Sequence, residues 1–276
     1  MWVFYQRRCR RRSHETILRD FKSITEPNIF ITDDIGFLHT PTYETLGREL
    51  KAEGFYRLLT LETRCDLVVK HRDLFELWRS VGLDSVFLGV EKVDDYELEA
   101  VRKRTNRETN TLAIQTLREV GIRPYASFII DPDWDEADFA RLEAYIEALE
   151  LEQPSFTVLT PFPGTDYYRA IKDRIVENNY LMFDTVHAVL PTRLPLERFY
   201  ERFAGLYDRT ARWDLGGLPA LKTAFRLASH RHLFVFRRLL RALRHLRNPA
   251  TYLEPPFEKR PPGAPPLAPR SASSHA

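Results

Sequence analysis

The chain alternates short apolar runs with longer amphipathic stretches, and this alternation predicts parallel strands joined by crossover helices. The apolar runs occupy residues 28–32, 56–62, 85–91, 125–131 and 155–160. Because these runs are almost continuously apolar, we expect strands that are covered on both faces. The repeated order of strand and then helix suits a barrel or an open doubly wound sheet, and the pattern alone leaves both open. The fold class is predicted as α/β.

Glycine and proline positions mark the ends of the predicted helices. Thr40 and Pro41 begin a helix that Gly54 ends. Two further helices end at Gly82 and Gly121, and the second has apolar residues at helical spacing in the sequence ETNTLAIQTLREVG. The sequence DEADFARLEAYIEALE supplies the helix between the last two strands. Each of the first four runs is thus followed by a helix, as a parallel sheet requires.

After Leu190 the alternation stops, and two helical segments come next with no strand between them. They are LPLERFYERFAGLYDRTARW and the stretch over residues 218–247. The last part, which contains PPFEKRPPGAPPLAPRSASSHA, has few bulky apolar residues and cannot offset the entropy lost on ordering. We predict a barrel-like region over residues 1–190, a helical extension over 191–250 and a disordered tail over 251–276.

Composition narrows the class of protein only slightly. A hydrophobic share of 43% in 276 residues is sufficient for a core, and the net charge of +2 argues neither for nor against nucleic acid. We predict no nucleic-acid partner. No apolar run is long enough to span a membrane, and the basic start MWVFYQRRCRRR does not lead into the apolar stretch of a signal peptide. The predicted location is the cytoplasm.

The two cysteines, Cys9 and Cys65, are too far apart in the sequence to form a local metal pair. Two thiols in a chain of this length also do not make a disulfide framework. We therefore interpret both as buried or inert thiols and predict no metal ligands in this chain.

Polar residues cluster where the apolar runs end. They are Asp33, Asp34, Glu62, Thr63, Arg64, Glu91, Asp131 and Thr160. In a barrel of strands and helices, reacting groups sit at the carboxyl ends of the strands. Each residue alone has a plain alternative, which is a helix N-cap or a solvated loop charge. Together they suit a zwitterionic nucleoside, because carboxylates accept hydrogen bonds from an amine or a ribose and an arginine pairs with a carboxylate.

The strand ends also carry a resemblance to a known family. The segments FITDDIGF, LETRCD, FLGVEK, ASFIIDPDWDE and LTPFPGTDYY resemble successive strand ends of the radical S-adenosylmethionine superfamily, in its cobalamin-dependent branch. The similarity runs from about Trp2 to Tyr207. It implies a partial TIM-type barrel of strands and helices that lacks its first strand, with a helical extension at the carboxyl end.

The resemblance implies a set of residues that bind S-adenosylmethionine. They are Asp33, Asp34, Glu62, Arg64, Glu91, Ser127 and Thr160. By this resemblance, Asp33 and Asp34 would contact the methionine amino group and Arg64 the methionine carboxylate. Glu91 would contact the ribose or the amine, and Ser127 would lie near the adenine.

The chain departs from the family pattern in two places. The family holds a [4Fe–4S] cluster through a C-x-x-x-C-x-x-C loop, and this sequence has no such loop. The segment WVFYQRRCRRRS resembles the stretch directly after the third cysteine, so we expect the ligands of the cluster and of cobalamin to lie outside this chain. Lys92 stands where a small residue usually comes after the glutamate. Two explanations stay open: a piece of a longer protein, or a degenerate paralogue that lost its chemistry.

Within the branch, FDTVHAVLPTRLPLERFYERFAGLY most resembles hopanoid C-3 methylases, which implies a lipid substrate. The complete protein would then transfer a methyl group from cobalamin to an unactivated carbon and would need a reductant protein. His187 lies in this segment. It either contacts the substrate or the cofactor, or makes a plain structural hydrogen bond.

A helix over residues 225–247 combines apolar residues at helical spacing with seven arginines. It suits contact with an anionic membrane surface, or packing on the barrel with its arginines in water. If the chain is a degenerate paralogue, it would act as a module that binds a partner or a membrane through residues 7–12 and 226–247. An ordinary barrel hydrolase would need a paired acid and base or clustered histidines, and the sequence shows neither.

Overall fold

The computed structural model describes residues 10–100, 105–152, 154–215, 242 and 244–253. The strands are β1 (Asn28–Ile31), β2 (Leu58–Thr63), β3 (Leu83–Glu91), β4 (Arg123–Ile130) and β5 (Ser155–Val158). The helices are α1 (His14–Ser23), α2 (Thr40–Ala52), α3 (Cys65–Lys70), α4 (Arg72–Val81), α5 (Asp95–Ala100), α6 (Arg107–Val120), α7 (Glu136–Ala148), α8 (Asp166–Ile171) and α9 (Leu196–Leu215). Short 3-10 turns lie at Lys172–Arg174, Tyr180–Met182 and Pro249–Tyr252. All five predicted strands are confirmed, with ends shifted by at most two residues.

The sheet decides between the two architectures that the sequence left open. Its five strands have the order β1-β2-β3-β4-β5, and every neighbouring pair is parallel. A doubly wound sheet reverses its strand order at a switch point, whereas a barrel adds each strand beside the previous one. The fold is a curled half-barrel, which confirms the predicted α/β partial barrel.

The helices cover only one face of the sheet. Most strand residues on that face are buried, and Leu61, Leu88 and Phe128 are completely buried. On the concave face, Phe30 keeps 55% of its surface exposed and Leu58 keeps 43%. The expectation that both faces are covered is therefore wrong for the described residues. Right-handed crossovers place all the helices on the outer side of a barrel, and only closure of the barrel would bury the inner side.

The helix ends obey local rules that the sequence already indicated. Gly54, Gly82 and Gly121 adopt positive φ angles just after α2, α4 and α6, as predicted for helix ends. Helix α7 begins with a capping box, in which the Asp135 and Asp138 side chains each accept a hydrogen bond from the backbone N–H of the other residue. These caps define where the four helices begin or end.

An irregular segment covers the free edge of β5. The Val158 N–H donates to the Thr185 carbonyl at 2.6 Å, and the Tyr207 hydroxyl of α9 donates to the Phe156 carbonyl at 3.0 Å. Arg202 of α9 pairs with Glu143 of α7 at 3.1 Å. The edge of the sheet is thus protected, and α9 packs on the barrel.

Three predictions concern the part of the chain beyond β5. Helix α9 begins at Leu196, close to the predicted start of the helical extension, but the division into three parts stays a prediction. Tyr252, the second residue of the tail predicted over 251–276, is 4% exposed in a 3-10 turn. The rest of that tail, from residue 254 onward, and most of residues 218–247 lie outside the described residues. Within the described residues, no helix combines the length and the apolar character needed to cross a bilayer.

Candidate cofactor-binding site

The loop after β1 is fastened to the end of β2. The Gly36 N–H donates to the Glu62 carbonyl at 2.7 Å, and the Thr63 hydroxyl donates to the Gly36 carbonyl at 2.6 Å. A Cβ atom at Gly36 would lie 2.8 Å from the Glu62 oxygen, so a larger residue does not fit there. The backbone that carries Asp33 and Asp34 is therefore held at a defined position beside β2.

An aromatic cluster supports the same loop from the helix side. Phe37 has a φ of 63° and is 1% exposed, with its ring centroid 5.0 Å from both Tyr43 and Trp78. The Tyr43 hydroxyl donates a hydrogen bond to the Asp33 carboxylate. Burial raises the pKa of Tyr43, and the charge of Asp33 raises it further, so the phenol stays protonated as the donor. Tyr43 was not anticipated from the sequence, because its approach to Asp33 depends on how α2 packs.

The carboxylate of Glu62, at the end of β2, is within electrostatic range of Asp34 in the loop after β1. Partial burial raises the pKa of Glu62, and the charge of Asp34 adds to the rise. Among the described residues, no side chain pairs with the Glu62 carboxylate. A cationic group placed between the two carboxylates would relieve their repulsion, which is the behaviour expected of a site for an ammonium group.

Arg64 stands directly after β2 and already holds a carboxylate. Its Nε lies 2.8 Å from one Asp66 oxygen, and its Nη2 lies 2.6 Å from the other. Both side chains are about one-third exposed, at 32% and 38%, so this pair contributes little to stability. The guanidinium is thus oriented for bidentate binding, but an outside carboxylate would have to displace Asp66.

Ser127 lies in the middle of the sheet, next to Gly89. Ser127 on β4 pairs in register with Gly89 on one side and with Ser155 on the other. Both Ser127 and Gly89 are half-buried. Ser127 therefore lies on the face that the mouth opens onto, as a residue near a bound base should.

Glu91, at the end of β3, and Thr160, just after β5, differ in their surroundings. Glu91 is half-buried and has a φ of 66°, which is the left-handed region. Thr160 is 8% exposed, and its hydroxyl donates to the Val158 carbonyl at 2.9 Å. The predicted site residues are thus not equivalent. The charge of Asp34 acts on Glu62, Ser127 lies on the concave face, and the Thr160 hydroxyl donates to its own strand.

His187 is held by a neighbouring carboxylate. It is 4% exposed, and its Nδ1 lies 2.9 Å from an Asp184 oxygen. The backbone N–H of His187 also donates to the Asp184 carboxylate, at 3.0 Å. A structural hydrogen bond, one of the two interpretations considered for this residue, is therefore present.

Several known proteins are similar to this chain in sequence, and others are similar to it in fold. No protein-family model matches the chain. The hopanoid C-3 methylase of Methylococcus capsulatus is 34% identical over 229 residues, which are 83% of this chain and 44% of that protein. The chain belongs to the cobalamin-dependent radical S-adenosylmethionine enzymes.

Solved structures of this family have the same fold. The cobalamin-dependent S-adenosylmethionine radical enzyme OxsB, with aqua-cobalamin and S-adenosylmethionine bound, superposes with a TM-score of 0.52 at 16% identity. That match covers 85% of this chain and 42% of OxsB. The radical S-adenosylmethionine methyltransferase TsrM of Kitasatospora setae, with cobalamin and a [4Fe–4S] cluster bound, gives 0.50 at 18% identity over 66% of this chain and 38% of its own. The chain spans less than half of the length of these relatives.

The residues present do not fit the iron–sulfur cluster of these enzymes. Cys65 begins α3 and is 2% exposed in the core, while Cys9 lies outside the described residues. The described residues contain no group of three or more His, Cys, Asp or Glu side chains that could hold a metal ion. Two thiolates also fall short of the three ligands that such a cluster needs. Asp34, Glu62 and Arg64 do supply carboxylates and a guanidinium, the groups that bind an ammonium and a carboxylate.

Proposed function

We propose that this chain is the S-adenosylmethionine-binding barrel portion of a radical methylase that acts on a lipid. The single observation that carries the proposal is the 34% identity to hopanoid C-3 methylase over 83% of the chain. In the complete protein, S-adenosylmethionine with a [4Fe–4S] cluster would supply the radical chemistry and cobalamin the methyl group. The two cysteines of this chain are fewer than the three ligands of that cluster, so we propose that its ligands lie elsewhere in the complete protein.

The roles proposed for this chain's residues are binding and orientation. The carboxylates of Asp34 and Glu62 accept hydrogen bonds from the methionine ammonium, which lowers the repulsion between them. Arg64 exchanges Asp66 for the methionine carboxylate, and the bidentate geometry of its present pair supports this exchange. Glu91 accepts a hydrogen bond from a ribose hydroxyl, and Ser127, which pairs in register with Gly89, borders the adenine.

Removing Arg64 or Glu91 tests these roles. In the complete protein, Arg64→Ala and Glu91→Ala should each weaken S-adenosylmethionine binding by roughly 1.5–3 kcal/mol, the scale of a hydrogen bond to a charged group. Asp66→Ala should instead strengthen binding, because it removes the carboxylate that competes for Arg64. Isothermal titration calorimetry measures the affinities, and urea unfolding measures stability.

The control is Glu147→Ala. Glu147 is exposed on α7, away from the concave face, so this variant should change neither the affinity for S-adenosylmethionine nor the stability. A large loss of stability with unchanged affinity in Arg64→Ala and Glu91→Ala would refute the assignment. It would show that both residues act only in structural contacts. If the unsubstituted protein bound no S-adenosylmethionine, the degenerate paralogue that binds a partner or a membrane would become the better description.

A lipid substrate is supported by apolar side chains near the mouth. After β5 the chain exposes Phe162, Tyr180 and Leu181 at 40%, 69% and 53%. Arg174, in the 3-10 turn directly after α8, lies 3.8 Å from the Asp133 carboxylate in the loop after β4, so this segment lies near the carboxyl end of β4. Exposed apolar surface beside a site is typical of one that binds an apolar ligand.

We also propose that residues 225–247 bring the protein to the inner face of a membrane, where a lipid substrate resides. The protein would then be cytoplasmic, and a separate reductant protein would supply its electrons. Vesicle co-sedimentation tests the contact. Binding to vesicles that contain an anionic phospholipid should fall when Arg237 and Arg238 are changed to Glu, by about 1 kcal/mol for each arginine lost. The control is Arg48→Glu, an exposed arginine on α2 that pairs with Glu44. Equal binding by all variants would exclude this membrane contact.

A further inference from the structure

Strand β3 ends in a strained turn. Glu91 has a φ of 66°, and the Lys92 N–H donates to the Val90 carbonyl at 2.8 Å. A hydrogen bond between residues two apart around a residue of positive φ is a γ-turn, which is rare and strained. A residue other than glycine persists in this conformation only when its surroundings fix it. The turn therefore needs a structural cause.

The strained turn coincides with a slip in the strand register. Gly89 pairs with Ser127, whereas Glu91 pairs with Phe128, so two steps along β3 meet one step along β4. Such a bulge redirects the side chains beyond it and is common next to active sites. The register slip and the positive φ both occur at Glu91, which is the residue proposed to contact S-adenosylmethionine at the mouth of the half-barrel.

One clamp on the turn comes from α6. Asn110 is completely buried, and its Nδ2 donates to the Val90 carbonyl at 3.4 Å. The Thr105 hydroxyl donates to the Asn110 Oδ1 at 2.9 Å, which sets the orientation of the amide. The Val90 carbonyl thus accepts hydrogen bonds from both Asn110 and the Lys92 backbone, and its position is fixed.

The second clamp is the Lys92 side chain. Lys92 is 3% exposed, and its Nζ lies 5.1 Å from the centroid of the Trp134 ring and 3.9 Å from an Asp131 carboxylate oxygen. Trp134 is 4% exposed and packs edge-on against Phe139 of α7. A buried ammonium is stabilised by an aromatic face and a carboxylate. These contacts tie the end of β3 to the loop after β4.

We propose that Lys92 is a positioning residue: its buried ammonium locks the strained turn so that Glu91 presents its carboxylate at the mouth. Lys92 itself touches no ligand in this role and acts through Glu91. The clamp stands on the geometry of this chain alone. Its purpose, the orientation of Glu91 toward S-adenosylmethionine, rests on the proposed function.

A stability cycle on this chain tests the clamp. Lys92→Met keeps the apolar stem and removes the charge, and Glu91→Gly removes the strain, because glycine adopts positive φ freely. Because removal of the clamp lets a strained turn relax and regain its strain energy, Lys92→Met should lower the urea midpoint less in the native background than in the Glu91→Gly background. An equal lowering in both backgrounds would overturn the clamp. If Lys92→Met does not fold, Asp131→Asn weakens the same clamp from the other side and should show the same dependence on background.

A binding cycle in the complete protein tests the positioning. Lys92→Met should raise the Kd for S-adenosylmethionine about tenfold when Glu91 is present, the scale of a lost hydrogen bond to a charged group. In a Glu91→Ala background it should leave the Kd unchanged. A Kd raised equally in both backgrounds would overturn the proposal, because Lys92 would then act independently of Glu91.

The two cycles separate the inference from the proposed function. Lys70→Met, at an exposed lysine that ends α3, is the control and should alter neither the urea midpoint nor the Kd. If Glu91→Ala by itself left the Kd unchanged, the site assigned under the proposed function would be wrong, and with it the positioning role. The stability cycle would still decide whether Lys92 locks the turn.

Discussion

Gly82→Ala is expected to lower the free energy of unfolding by about 3–5 kcal/mol, the range of strongly strained backbone substitutions. Gly82 has a φ of 116°, and a Cβ atom there would lie 1.9 Å from the Arg57 carbonyl oxygen. The Gly82 carbonyl also accepts the Leu59 N–H at 2.9 Å, at the start of the β2 and β3 pairing. The methyl group therefore overlaps backbone that cannot move without disturbing the sheet. Urea unfolding monitored by circular dichroism measures the loss.

Gly121→Ala provides a matched control for this prediction. Gly121 ends α6 as Gly82 ends α4, and its φ of 81° is also positive. A Cβ atom there would meet nothing closer than the Arg79 Nε at 3.6 Å, so only the backbone strain of about 1 kcal/mol remains. Equal losses in the two variants would mean that the overlap with Arg57 is absorbed by relaxation.

Trp78→Ala should lower the free energy of unfolding by about 3–5 kcal/mol, the usual cost of removing a large buried aromatic side chain. Trp78 is completely buried, and its ring centroid lies 5.7 Å from Phe21 and 5.0 Å from Phe37. Its Nε1 donates to the Tyr43 carbonyl at 2.9 Å. Because Tyr43 in turn holds Asp33, the variant should also loosen the loop that borders the site.

Two further variants bracket this effect. Trp78→Phe keeps most of the apolar contact but leaves the Tyr43 carbonyl without its donor, so it should cost about 1–3 kcal/mol. Tyr56→Ala removes an aromatic side chain that is 52% exposed and should change stability by less than about 0.5 kcal/mol. If Trp78→Ala cost no more than Tyr56→Ala, the aromatic cluster would not be the core of this part of the chain. Differential scanning calorimetry ranks the three variants.

The strands and helices were predictable because their signals are local. Apolar runs and glycines such as Gly82 and Gly121 act through neighbours in the sequence, and their positions in the structure match the prediction. The order of the strands is not local, so the choice between a barrel and a doubly wound sheet had to come from the structure. For the same reason the exposure of Phe30 on the concave face was not anticipated.

The site was predictable in outline and not in detail. The carboxyl ends of parallel strands meet at one edge of a sheet, which is why Asp34 and Glu62 could be expected to approach each other. The partners of individual side chains depend on rotamers and on helix packing, which spacing does not encode. The pairing of Arg64 with Asp66 and the engagement of the Thr160 hydroxyl by its own strand are of this kind.

The two edges of the sheet differ in what they offer to another strand. The backbone along β5 is engaged by the Thr185 carbonyl and the Tyr207 hydroxyl, which take the place of a sixth strand. Among the described residues, no segment pairs with the outer edge of β1. The two edges of the sheet are therefore not equivalent. A strand from another domain or chain can pair with β1, whereas at β5 it would first have to displace the segment that contains Thr185.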